Sequence, residues 1–130
     1  MTTKLLLASD GSHHAHRAAE EAIKLAKINE SEIIIAYVSS DDSDNKGEVH
    51  PDIQNKLQET QNLIKQASLT YQVKVLHGDP ADAISDYANA NAFEFLVIGS
   101  RGLNKMQEMV MGSVSYEVMK LAKCPVLVVK

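Results

Sequence analysis

Two short segments carry residue types suited to chemistry. One is Ser9-Asp10-Gly11-Ser12; the other runs from Gly99 to Ser115. In the second, Gly99-x-x-Gly102 is followed by nine residues and then Gly112-Ser113-Val114-Ser115. Glycines let a backbone come close to a ligand and turn its N–H groups inward. A helix opening at Gly112-Ser113 would add the positive end of its dipole, and Ser113 and Ser115 would add hydroxyl donors. Arg101 and Lys105 supply positive charge. That combination suits phosphate. Glycines after a strand are also ordinary turn residues, and Gly-Ser is an ordinary helix start, so the residues alone leave both readings open. Asp10 is equally open, because an Asp beside a Gly at a strand end is often a turn or cap residue.

These loops need elements to hold them. Lys4 to Ala8 is a short apolar run of the kind buried on both faces. From Ala15 the apolar spacing turns helical through Ala18, Ala19, Ala22, Ile23 and Ala26, with Ser12 as N-cap. Ile33 to Val38 reads as a second strand. Ser39 to His50 is a polar loop, and Pro51 opens a helix in which Ile53, Leu57, Ile64 and Ala67 keep one register. Val73, Val75 and His77 mark a third strand. Asp79 and Pro80 cap and start a helix carrying Ala83, Ile84, Tyr87 and Ala88. Phe93 to Ile98 is a fourth strand, ending at Gly99. A last helix spans about Ser113 to Ala122, Pro125 stops it, and Val126 to Val129 is a fifth strand. Strands alternating with helices imply an α/β fold with a parallel sheet, right-handed crossovers and helices on both faces. Ligands in such a sheet bind outside the carboxyl ends of the strands, where both Gly-containing segments fall.

Composition bounds the rest. The 130 residues make one domain, 1–130, long enough to bury roughly two-thirds of its extended surface. The chain is 45% hydrophobic and 23% charged, which is globular usage. Two Phe, four Tyr and no Trp leave the core to aliphatic residues and Ala. A net charge of −4 argues against general binding to nucleic acid. A single Cys, Cys124, excludes an internal disulfide framework and fits a reducing cytoplasm. No apolar run reaches the roughly 20 residues of a bilayer span, so no membrane partner is expected.

Taken together, the two segments, Gly78-Asp79-Pro80 and the closing Cys124-Pro125-Val126-Leu127-Val128-Val129 resemble the universal stress protein family over the whole chain. The resemblance implies a sheet in order 3-2-1-4-5, Rossmann-like and of the adenine nucleotide alpha hydrolase-like type. With the complete Gly motif it also implies ATP binding. Asp10 would then contact the ribose, and Val38 would meet the adenine edge through its backbone. Gly99, Arg101, Gly102, Gly112, Ser113 and Ser115 would hold ribose and phosphates, Val114 would bring a backbone N–H, and Ala8, Ser9 and Ile98 would line the pocket. ATP or AMP is the expected ligand, with Mg2+ or Mn2+ entering through the phosphates. The resemblance further implies a homodimer through Val126–Val129, an apolar edge strand of the kind that invites pairing. Glu94, where an Asp is more usual, and a His-rich first helix depart mildly from the family pattern.

Other signals read more simply. His13, His14 and His16 lie in a first helical turn, where the dipole disfavours cations, and read as solvent-exposed histidines. His77 reads as structural. The Asp42–Gly47 stretch begins like a calcium loop but has Lys46 and Ile53 where oxygen ligands are needed. Cys124 has no His or Asp partner by spacing and reads as a buried structural thiol. Met106, Met109 and Met111 form an apolar stretch of the Gly loop. No catalytic residue is identified: Asp10 is the only carboxylate of the motif, and Glu108 has no defined geometry. Phosphate binding without a placed base gives slow hydrolysis at most. The resemblance then implies a regulatory, stress-response role, with two competitors: a slow ATPase, and a dimeric interaction module that uses no nucleotide.

Overall fold

In the computed structural model, which describes residues 3–39, 51–100 and 112–130, the Leu-rich run becomes the central strand β1 (Lys4–Ala8). Leu5, Leu6 and Leu7 are fully buried. Side chains alternate across a strand, so Leu5 and Leu7 enter one core while Leu6 and Ala8 enter the other. That is why this run needs no polar face.

The chain then alternates: α1 (His13–Asn29), β2 (Glu32–Ser39), α2 (Pro51–Lys56), α3 (Gln58–Gln66), β3 (Tyr71–His77), α4 (Pro80–Ala90), β4 (Phe95–Gly99), α5 (Ser113–Leu121) and β5 (Val126–Val129). The five strands form one sheet in the order β3-β2-β1-β4-β5, and every pairing is parallel. The first core packs Ala18, Ala19, Ala22 and Ala26 of α1 with Ile53, Leu57 and Ile64 of α2 and α3 against the sheet. The second packs Ala81, Ile84 and Ala88 of α4 with Val118 of α5 against the opposite face. Each fully buried Leu or Ile contributes roughly 1.5–3 kcal/mol over its exposed state. The alanines of α1 contribute less area but let the helix lie close to the sheet.

The expected strand order and layers are therefore present, with two local differences. The helical register from Ile53 to Ala67 is divided at Leu57, whose φ of −97° and ψ of 4° leave helical geometry. The ladder still crosses the break: Leu57 N–H donates to Ile53 (3.0 Å) and Gln61 N–H to Leu57 (2.9 Å). The bend seats Leu57 fully in the core without a change of face. Strand β4 also starts at Phe95, two residues later than the apolar pattern indicates. Phe93 instead packs its ring on Tyr87, with centroids 5.7 Å apart, and Glu94 N–H donates to Lys4 at 2.8 Å.

Candidate functional site at the carboxyl ends of β1 and β4

Strand order reverses direction between β1 and β4, the position where an open α/β sheet forms a crevice. Ala8, the last residue of β1, pairs with Ala36 on one side and Ile98 on the other. Ser9 N–H still bonds to Ala36 (3.0 Å), and the chain then turns.

That turn is closed by its own side chains. Gly11 N–H donates to Ser9 Oγ (3.2 Å), and Ser12 N–H donates to Asp10 Oδ1 (2.9 Å). Ser12 Oγ in turn accepts from Ala15 N–H (3.3 Å) and caps α1, as its position after the apolar run indicates. Gly11 sits at φ +79°, a conformation that favours glycine. The turn role of Asp10 is thus real, but it uses one acceptor direction of one carboxylate oxygen. An ionised carboxylate has about four acceptor sites, so Asp10 keeps capacity for a ligand hydroxyl. It is half-buried at the crevice.

The second turn is built differently. Ser100 N–H donates to Val129 of β5 (2.7 Å), and Gly112 N–H donates to Ser100 (2.6 Å). This last bond joins the end of β4 directly to the start of α5. Gly112 is the N-cap of α5 with no side-chain cap bond, so the N–H groups of Ser113, Val114 and Ser115 have no partner within the helix. Ser113 is exposed, Val114 packs beside the second core, and Ser115 is buried. The Ser115 hydroxyl donates to the carbonyl of Gly99. A hydroxyl has one proton, so Ser115 holds the strand end to the helix start and offers a ligand its backbone N–H rather than its O–H.

The structure brings Ala8, Ser9, Asp10, Ile98, Gly99, Gly112, Ser113, Val114 and Ser115 to the same end of the sheet. Val38 joins them on β2, half-buried and packed beside the second core. Arg101 and Gly102 lie outside the described residues, as do Lys105, Met106, Glu108, Met109, Met111 and the Asp42–Gly47 stretch.

Two contacts at this rim have no counterpart in the sequence pattern. Lys56, ending α2, donates from Nζ to the Tyr37 hydroxyl (3.1 Å), a bond that raises its pKa above the usual lysine value. Its carbonyl also lies against Gly11. Neither is visible locally, since residues 11, 37 and 56 meet only once the sheet is formed.

The remaining candidates sort clearly. His16 Nδ1 is 4.0 Å from Glu59 Oε2 across α1 and α3. Among the described residues no three His, Cys, Asp or Glu side chains gather as metal ligands. Cys124 is half-buried, and burial pushes its thiol pKa up, the opposite of an activated nucleophile. His77 ends β3, is exposed and pairs in register with Ser39. No helix among the described residues is long and apolar enough to cross a membrane.

Known proteins share this fold. The family model for the universal stress protein family matches residues 1–130. Universal stress protein YxiE of Bacillus subtilis is 31% identical over 149 residues, with both chains covered completely. A universal stress protein family protein of Arabidopsis thaliana, solved with AMP bound, superposes with a TM-score of 0.73 at 25% identity, over 98% of this chain and 91% of that one. A universal stress protein solved in complex with cAMP superposes with a TM-score of 0.79 at 24% identity, over 98% and 97% of the two chains. With the whole chain matched, and with the same fold, the protein belongs to the universal stress protein family.

Proposed function

We propose that this chain binds an adenine nucleotide, ATP or AMP, as a signal in a cytoplasmic stress response and does not consume it as fuel. The observation that carries the reading is the uncapped start of α5 beside the self-closed Asp10 turn, at one end of one sheet. The first offers N–H donors and a positive dipole end to phosphate. The second offers a carboxylate to ribose hydroxyls. A relative solved with AMP bound and one solved in complex with cAMP support an adenine-nucleotide ligand.

In this reading Asp10 takes the ribose, and Val38 meets adenine through its backbone between the aliphatic walls of Ala8, Ser9 and Ile98. Gly99, Arg101, Gly102, Gly112 and Ser113, with the backbone N–H groups of Val114 and Ser115, hold ribose and phosphates. Mg2+ or Mn2+ would enter on the phosphate oxygens. No residue is assigned a catalytic role.

The same reading makes the whole chain one domain that pairs as a homodimer through β5. Leu127 of that edge strand is 36% exposed, and Tyr116, Met119 and Leu121 are exposed on the helix leading into it. Sedimentation equilibrium at tens of micromolar is expected to show a dimer, and a strict monomer would remove the pairing.

Calorimetric titration of the purified protein with AMP and with ATP tests the ligand. Binding at roughly micromolar Kd, about −8 kcal/mol, is expected. A folded protein that takes up neither nucleotide would leave the interaction-module reading, and sustained turnover proportional to protein would favour the slow ATPase.

A further inference from the structure

The contact between α2 and the Asp10 turn goes beyond what the nucleotide reading needs. A Cβ on residue 11 would lie 2.7 Å from the Lys56 carbonyl oxygen and 3.1 Å from the Lys56 Cβ. No real side chain tolerates that approach, so the backbones meet only because residue 11 is glycine. Gly11 is thereby held on two sides, by the Ser9 hydroxyl on its N–H and by the end of α2 on its Cα.

The end of α2 is itself fixed. Ile53 and Leu57, flanking Lys56, are 5% and 0% exposed in the first core. The Lys56 ammonium bonds the Tyr37 hydroxyl at 3.1 Å and lies 5.6 Å from the centre of that ring. Tyr37 precedes Val38 on β2, so this tether joins α2 to the strand end that borders the crevice. Among the described residues, the hydrogen bond on the Asp10 carboxylate comes from its own turn. Its carboxylate is oriented by Ser12 N–H, and that bond requires the chain to turn at Gly11 with φ +79°.

We propose that the carboxyl end of α2 is a buttress for this turn, and that Gly11, Lys56 and Tyr37 are positioning residues that set how strongly the site selects a ribose hydroxyl. The proposal rests on the adenine-nucleotide reading above. A buttress that slips lets Asp10 leave its Ser12 bond and swing away from the ribose, while phosphate contacts at α5 stay intact. Affinity for a nucleotide with ribose hydroxyls therefore falls, and affinity for one without them does not.

The test uses the full chain and three substitutions: Gly11→Ala, Lys56→Met and Tyr37→Phe. Amide exchange of Ser12 is measured without ligand, and Kd is measured for AMP and for 2′,3′-dideoxyadenosine monophosphate. Gly11→Ala is expected to speed Ser12 exchange about tenfold and weaken AMP about tenfold, with the dideoxy analogue within about twofold of wild type. Lys56→Met and Tyr37→Phe should move both quantities the same way by roughly two- to fivefold, and Lys56→Arg should restore them. Equal weakening of both nucleotides would overturn the proposal. So would wild-type Ser12 protection in both Lys56→Met and Tyr37→Phe, because control would then lie in the glycine's own backbone. A wild-type protein that binds neither nucleotide would sink the ligand reading separately. The Ser12 amide would still decide the buttress, and if Gly11→Ala fails to fold, the other two variants decide it.

Discussion

The turns that leave β1 and β4 occupy equivalent places in the sheet yet solve the same problem in opposite ways. Both must start a helix whose first N–H groups have no helical partner. After β1 the chain supplies three side-chain oxygens: Ser9 and Asp10 close the turn on the N–H groups of Gly11 and Ser12, and Ser12 caps the Ala15 N–H in the first turn of α1. After β4 the cap position is Gly112, which has no side chain to offer, and among the described residues no side chain caps the start of α5. The Ser115 hydroxyl, two residues further on, is turned back onto Gly99. A closed turn presents a fixed carboxylate, and an open one presents N–H donors. In the proposed reading, neutral hydroxyls fall to the first and an anion to the second.

The largest expected effect comes from filling the open turn. Gly112 has φ −62° and ψ 151°, a backbone that any residue adopts, so Gly112→Val adds bulk at the helix start with no penalty from the backbone angles. It should weaken AMP and ATP at least about tenfold, equivalent to about 1.4 kcal/mol, by calorimetry. Asp10→Ala should weaken them by a similar factor, but its effect should vanish for a nucleotide without ribose hydroxyls, which separates the two turns. If both variants bind as wild type does, the site is misassigned.

Ser115→Ala comes next. It leaves the buried Gly99 carbonyl without its hydroxyl donor, so stability should fall by about 1–1.5 kcal/mol in urea denaturation. AMP affinity should hardly change, because the backbone N–H survives. A selective loss of affinity at unchanged stability would mean that the hydroxyl turns to the ligand. Ser12→Ala, in the closed turn, should cost about 1 kcal/mol through the lost cap on α1. The smallest effect lies far from both turns. Glu30 ends α1 at φ 55°, and Glu30→Gly should raise stability by roughly 0.5 kcal/mol without altering nucleotide binding.

The difference between the turns was half legible in the sequence. Where a local signal decides the outcome, sequence and structure agree: Ser12 caps α1, Pro80 opens α4, and β5 occupies Val126–Val129 between Pro125 and Lys130. The strand order agrees with what the family resemblance implies. Disagreements arise where tertiary packing decides. The register through Leu57 is unbroken, so nothing local announces the bend that seats it in the core. The apolar run includes Phe93, but its ring is taken by Tyr87 before the strand begins. At the candidate site, residue types singled out Asp10 and Ser115 as candidates without giving the direction of either polar group. That direction depends on Ser12 N–H for one and the Gly99 carbonyl for the other. The Gly11 contact with Lys56 spans two elements and leaves no local trace.

The most direct test of the assignment is an amide-resolved NMR titration of the wild-type protein with AMP and, separately, with adenosine. The account predicts that AMP shifts the amides of Ser113, Val114 and Ser115 strongly while adenosine leaves them nearly in place, and that both ligands shift Ser12. Equal shifts of the α5 amides by adenosine, or AMP shifts confined to the first turn of α1, would contradict it.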